Sequence, residues 1–135
     1  MKIAVVGAGY VGLVSSVCLA HIGHHVICVD VDEEKVRQLK QAKLPIYEPG
    51  LEELLKECLA KGRLTFTTSI KEAIKKSVAI FIAVGTPSKM NGDADLNYVE
   101  NVARQIAVNM DSYKLVIEKS TVPAETYTRI RTWNP

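Results

Sequence analysis

Lys2-Ile3-Ala4-Val5-Val6-Gly7-Ala8-Gly9-Tyr10-Val11-Gly12 is the stretch whose reading decides the fold. It opens as a short, almost wholly apolar run of strand length, and from Tyr10 the apolar spacing becomes helical. Val11, Val14, Cys18 and Ile22 are expected on one buried face of that helix, with Gly23 as its stop. The glycines between strand and helix have separate uses. Gly7 makes the tight turn, Gly9 lets the backbone approach a pyrophosphate, and Gly12 lets the helix lie close to the sheet. A helix that begins there presents unpaired N–H groups and a positive dipole to phosphates. The pattern G-x-G-x-x-G is weak by itself; the strand before it and the helix after it give it weight. The competing reading, a glycine-rich turn with no ligand, is disfavoured because the motif's acidic partner is also in place at Asp30, whose own bland alternative, an N-cap, suits Asp32 better.

Working outward, strands and helices alternate. Val26-Ile27-Cys28-Val29 is a second buried run, and Asp32 is placed to cap a charged helix that reaches about Gln41. A third helix is expected from near Pro49 through Leu51, Leu54, Leu55 and Cys58, with Glu52 to Lys56 and Glu57 to Lys61 as i,i+4 pairs on its wet side. Leu64 to Thr68 is β-branched and aromatic enough for a strand, and Ser69-Ile70-Lys71-Glu72 reads as a capping box. The run Val78 to Val84 has no polar alternation, which predicts a strand buried on both faces. Gly85 to Asp95 is loop, Val99, Val102, Ala103, Ile106 and Met110 restore helical spacing, Leu115-Val116-Ile117 is a fifth strand, and Pro123 starts a last helix. The fold class expected is α/β: a doubly wound parallel sheet, Rossmann-like, with five strands in the order 3-2-1-4-5 and the sixth strand of the full arrangement absent.

Asp30 ends the second strand about 20 residues past the glycines, where a carboxylate can accept both ribose hydroxyls of an adenosine. It would repel a 2′-phosphate, so the dinucleotide expected is NAD rather than NADP. Lys35 lies either beside that ribose or in solvent. In such sheets the ligand crosses the carboxyl ends of the strands where strand order reverses. Two more loops therefore matter: Val84-Gly85-Thr86-Pro87-Ser88 and Lys119-Ser120-Thr121-Val122-Pro123. Thr86 and Thr121 would face one groove from two strand ends, either to contact the cofactor or simply to cap and turn.

Composition narrows the alternatives. With 135 residues the chain is one domain at most, and 17 basic against 15 acidic residues give +2, which argues against a nucleic-acid partner. No apolar run approaches the roughly 20 residues of a membrane helix, and the N-terminus breaks into glycines before any signal-peptide core, so no membrane association and a cytoplasmic location are expected. Three cysteines fit a reducing compartment, and Cys18, Cys28 and Cys58 are expected as buried, inert thiols. His21, His24 and His25 precede the second strand, at the end of the sheet opposite the groove, so no metal site is expected there.

Several segments extend this picture. Met1 through Leu13, Leu44-Pro45-Ile46-Tyr47-Glu48-Pro49-Gly50-Leu51, Val84-Gly85-Thr86-Pro87, Ala94-Asp95-Leu96 and Lys119-Ser120-Thr121-Val122-Pro123 together resemble the N-terminal domain of the UDP-glucose/GDP-mannose dehydrogenase family, in order and over almost the whole chain. The resemblance implies oxidation of a nucleotide sugar such as UDP-glucose at C6, to a carboxylate, by two hydride transfers to two NAD molecules through a thioester on a cysteine. It implies NAD contacts at the glycine loop (Gly7, Gly9, Tyr10, Val11 and Gly12), at Asp30 and Lys35, and at Gly85, Thr86, Ser120 and Thr121. Gly85-Thr86-Pro87-Ser88-Lys89 with Asn91-Gly92-Asp93 also resembles GDP-mannose dehydrogenase, so the sugar stays open. In this family the catalytic cysteine, its supporting residues, a long central helix and the nucleotide-sugar domain come from sequence after the fifth strand. Residues 1–135 are therefore expected to be a truncated NAD-binding domain, inactive alone, with no catalytic residue of its own. A free fifth-strand edge would favour self-association. A stand-alone module that senses or scaffolds through a dinucleotide is the alternative of another class.

Overall fold

The computed structural model describes residues 1–123 and Thr126. In chain order the elements are β1 (Lys2–Val6), α1 (Tyr10–His21), β2 (His25–Val29), α2 (Glu33–Lys40), α3 (Leu51–Ala60), β3 (Leu64–Thr67), α4 (Ile70–Lys76), β4 (Ala79–Ile82), α5 (Asn97–Asn109) and β5 (Leu115–Glu118). All strand pairs are parallel and the order is β3-β2-β1-β4-β5, as expected. The helix anticipated from Pro123 lies outside the described residues.

Continuous apolar strands follow from this architecture, because each face of the sheet is covered. Along β1, Ile3 and Val5 join one core with Leu13, Val17, Leu39, Leu55 and Cys58 from α1, α2 and α3. The alternate residues Ala4 and Val6 join a second core with Ala73, Ile74, Val99, Val102 and Ile106 from α4 and α5. The chain is thus a three-layer sandwich whose central strands are buried on both sides.

Several local expectations are corrected. The buried face of α1 is Gly12, Leu13, Ser16, Val17 and Ala20, while Val11 is 46% and Ile22 70% exposed and the Cys18 thiol is exposed. This helix is apolar on nearly every side, so apolar spacing alone does not choose its inward face. Cys28 and Cys58 are buried, and burial pushes the Cys28 thiol up to about 12. Helix α3 begins at Leu51, after Gly50 in the left-handed region (φ 80), so Pro49 precedes the cap instead of occupying the first turn. Ser69 accepts from the Glu72 amide at 3.3 Å, but the Ser69 amide donates to Thr67 Oγ1 and Glu72 pairs with Lys76, so only half of the capping box forms. Met110 is the C-cap of α5, not part of its buried face. Residues 85–95 are loop as expected, drawn into a turn by one isolated bridge: Ser88 bridges Ala94, the Asp95 amide donates to the Pro87 carbonyl, and Gly92 takes the left-handed turn (φ 88).

Candidate dinucleotide site

The glycine loop is fixed by contacts that only glycine permits. Gly7 has φ 109, and a Cβ there would stand 2.4 Å from the Ala83 carbonyl oxygen on β4's C-terminal side. At Gly12 a Cβ would lie 1.8 Å from the Gly7 carbonyl oxygen, so this glycine sets how closely α1 seats on the loop. Gly9 differs: nothing lies within 4 Å of where its Cβ would be. Open space beside Gly9 and crowding at Gly7 and Gly12 are the pattern of a loop shaped on one side by its own fold and on the other for an approaching ligand.

No side chain caps the N-terminus of α1, and its first turn carries no acid. The leading N–H groups of α1 are therefore left without a side-chain acceptor from its own first turn, as an anion site requires. Next to them, Asp30 is held at both carboxylate oxygens. The Ala8 amide donates to Oδ2 at 3.0 Å and the Asp32 amide donates to Oδ1 at 3.0 Å, with Lys35 Nζ 3.5 Å from Oδ2. A carboxylate has about four acceptor positions, so each oxygen keeps capacity for a hydroxyl donor. Asp32 performs the capping of α2, accepting from the Lys35 amide at 3.0 Å, which leaves Asp30 free of that task.

The other two loops meet across the sheet. Thr86 donates from Oγ1 to the Thr121 carbonyl at 2.8 Å, and the Ser120 amide donates to the Ile82 carbonyl at 3.1 Å and to Glu118 Oε1 at 2.7 Å. Burial holds the Glu118 carboxyl above the ordinary range, against the opposing hydrogen bonds from Ser120. Gly85 is exposed at the start of the loop 85–95. The loops carrying all eleven candidate residues follow the carboxyl ends of β1, β2, β4 and β5, or open the helices behind them. His21, His24 and His25 lie toward the amino end of β2, where His25 pairs with Lys2. Among the described residues no group of three metal-ligating side chains forms, and no helix is long and apolar enough to cross a membrane.

Beside the glycine loop the structure adds a feature absent from the sequence reading. A cavity of about 370 Å³ is lined by Gly7, Asp30, Val31, Val84, Tyr98 and Asn101, among others. Val31, 92% exposed, directly follows Asp30. An apolar residue immediately after the candidate ribose acceptor is the one hint of this cavity that the sequence carries.

A family model described as the UDP-glucose/GDP-mannose dehydrogenase family, NAD binding domain, matches residues 1–134. The chain belongs to that family. UDP-glucose 6-dehydrogenase of Rhizobium meliloti is 54% identical over 127 residues, covering 93% of this chain and 29% of the relative. UDP-glucose 6-dehydrogenase TuaD of Bacillus subtilis is 52% identical over 125 residues, covering 93% of this chain and 27% of the relative. In structure, GDP-mannose dehydrogenase from Pseudomonas aeruginosa superposes with a TM-score of 0.92 at 44% identity, over 99% of this chain and 33% of that one. The chain thus spans about a third or less of the dehydrogenases it matches, and the part it matches is their NAD-binding domain.

Proposed function

We propose that this chain supplies the NAD-binding part of a nucleotide-sugar 6-dehydrogenase, with UDP-glucose as the first substrate to test. The observation that carries the reading is the Asp30 carboxylate tied to the Ala8 amide, which sets a ribose acceptor directly beside the phosphate-facing turn of α1. The pyrophosphate would lie over Gly9 and the first turn of α1, and the adenosine ribose would donate to Asp30. The adenine would enter the cavity beside Val31 and Val84, and the nicotinamide half would extend toward Thr86 and Thr121. NAD supplies hydride acceptance when bound; the residues of this chain bind it, orient it and shield one side of it.

The fixed negative charge at Asp30 opposes a 2′-phosphate, although Lys35 at 3.5 Å offsets part of it. The identity to relatives named for UDP-glucose supports that sugar. The loop sequence Ser88-Lys89 to Asn91-Gly92-Asp93 and the likeness to GDP-mannose dehydrogenase favour GDP-mannose as the second reading. Residues 1–134 match the NAD-binding domain and the three cysteines match no nucleophile motif of the family, so we propose that residues 1–135 by themselves turn over neither sugar. Calorimetric titration with NAD and NADP, followed by NADH assays with both sugars, tests this. NAD binding at least about tenfold tighter than NADP, with no NADH from either sugar, is expected. Equal affinities, or turnover by this polypeptide, would sink the corresponding part.

A further inference from the structure

Residues 41–50 join α2 to α3 without regular secondary structure, yet their exposure alternates. Gln41, Lys43, Pro45, Tyr47 and Pro49 are exposed, whereas Ala42, Leu44, Ile46 and Glu48 are half-buried. Ala42, Leu44 and Ile46 pack against the core beneath α1 and α3. Glu48 is the fourth half-buried member of this series. Its carboxylate accepts a hydrogen bond at the surface: the Tyr10 hydroxyl donates to Glu48 Oε2 at 2.6 Å across 38 positions of sequence.

Tyr10 is the first residue of α1 and directly follows Gly9. Its side chain is 54% exposed, so packing alone leaves it several orientations, and the bond to Glu48 selects one. The same bond holds the Tyr10 phenol protonated beyond its ordinary range. We propose that Glu48 is a positioning residue for the cofactor: it fixes Tyr10 at the mouth of the glycine loop, so that segment 41–50 and the first turn of α1 act as one wall toward a bound dinucleotide. The proposal rests on the cofactor reading above. It assigns Glu48 a role through geometry, because its charge alone, near a phosphate-facing helix end, would disfavour the ligand.

Those two roles have opposite signs in a substitution series. Glu48→Gln keeps an acceptor and removes the charge; Glu48→Ala removes both; Tyr10→Phe keeps the ring and removes the donor. NAD affinity of the 135-residue chain is measured by calorimetry, and backbone hydrogen exchange over 41–50 is measured without NAD. Glu48→Ala and Tyr10→Phe are each expected to weaken NAD binding about threefold and to speed exchange in the segment. The double variant should be no weaker than either single one, and Glu48→Gln should restore most of what Glu48→Ala loses. Unchanged or tighter binding by Glu48→Ala, additive losses in the double variant, or unaltered exchange would overturn the role of Glu48. Failure of the unsubstituted chain to bind NAD would overturn the cofactor reading instead, and this inference with it.

Discussion

At the scale of single residues, Asp30 carries the most weight. Two backbone amides and a lysine orient its carboxylate before any ligand arrives, so a ribose bound as proposed would cost little side-chain ordering. Asp30→Ala should weaken NAD binding by about tenfold or more, the worth of a hydrogen bond to a charged group, while His21→Ala at the other end of the sheet should leave it unchanged. Equal effects in calorimetry would contradict the groove. The place of Asp30 beside the glycine loop was legible because its distance from the glycines and its position at a strand end are properties of the sequence. Its tether to Ala8 and the Thr86 to Thr121 bond were not, since they join residues 22 and 35 positions apart. Cys18 was misread for a different reason: a thiol in an apolar stretch carries no mark of which way it faces, and here it faces out.

At the scale of elements, the strand–loop–helix unit from Lys2 to His21 shows what patterning can and cannot fix. Its boundaries were legible from the apolar run and the glycines, and the β4 run correctly foretold burial on both faces. The inward face of α1 was not legible, because apolar residues occur on both faces: Leu13 and Val17 are fully buried beside the small Gly12, Ser16 and Ala20, while Val11 remains outside. The small residues interleaved with Leu13 and Val17 mark that contact. Gly12→Ala places a Cβ 1.8 Å from a carbonyl oxygen that cannot rotate away. It should cost about 3 kcal/mol and lower the melting midpoint by roughly 10 °C. Gly9→Ala, with open space and an ordinary φ of −72, should leave the midpoint nearly unchanged and instead weaken NAD binding. Thermal melts and titrations on the same two variants separate the architectural glycine from the ligand-facing one. A stable Gly12→Ala protein would contradict that division.

At the scale of the whole molecule, the strand order and two-sided core were readable because a parallel sheet needs crossover helices on both faces. Apart from the hint of an apolar Val31 after Asp30, the cavity was not readable, since it arises only where the ends of β1 and β2, the loop after β4, and helices α4 and α5 converge. Among the described residues β5 pairs with β4 alone, and Leu115 at its start is half-exposed. An open edge of this kind is a template for another chain, so light scattering should show association that grows with concentration; a strict monomer at high concentration would count against it. The central claim is that NAD lies across the carboxyl ends of the strands, over the glycine loop. Backbone amide NMR shifts of the isotopically labelled chain, recorded as NAD is added, test it most directly. Shifts concentrated at Gly7 to Gly12, Asp30 to Lys35, Gly85, Thr86, Ser120 and Thr121, with His21 to His25 unmoved, are the predicted result. Shifts centred on the histidine end, or none at saturating millimolar NAD, would contradict it.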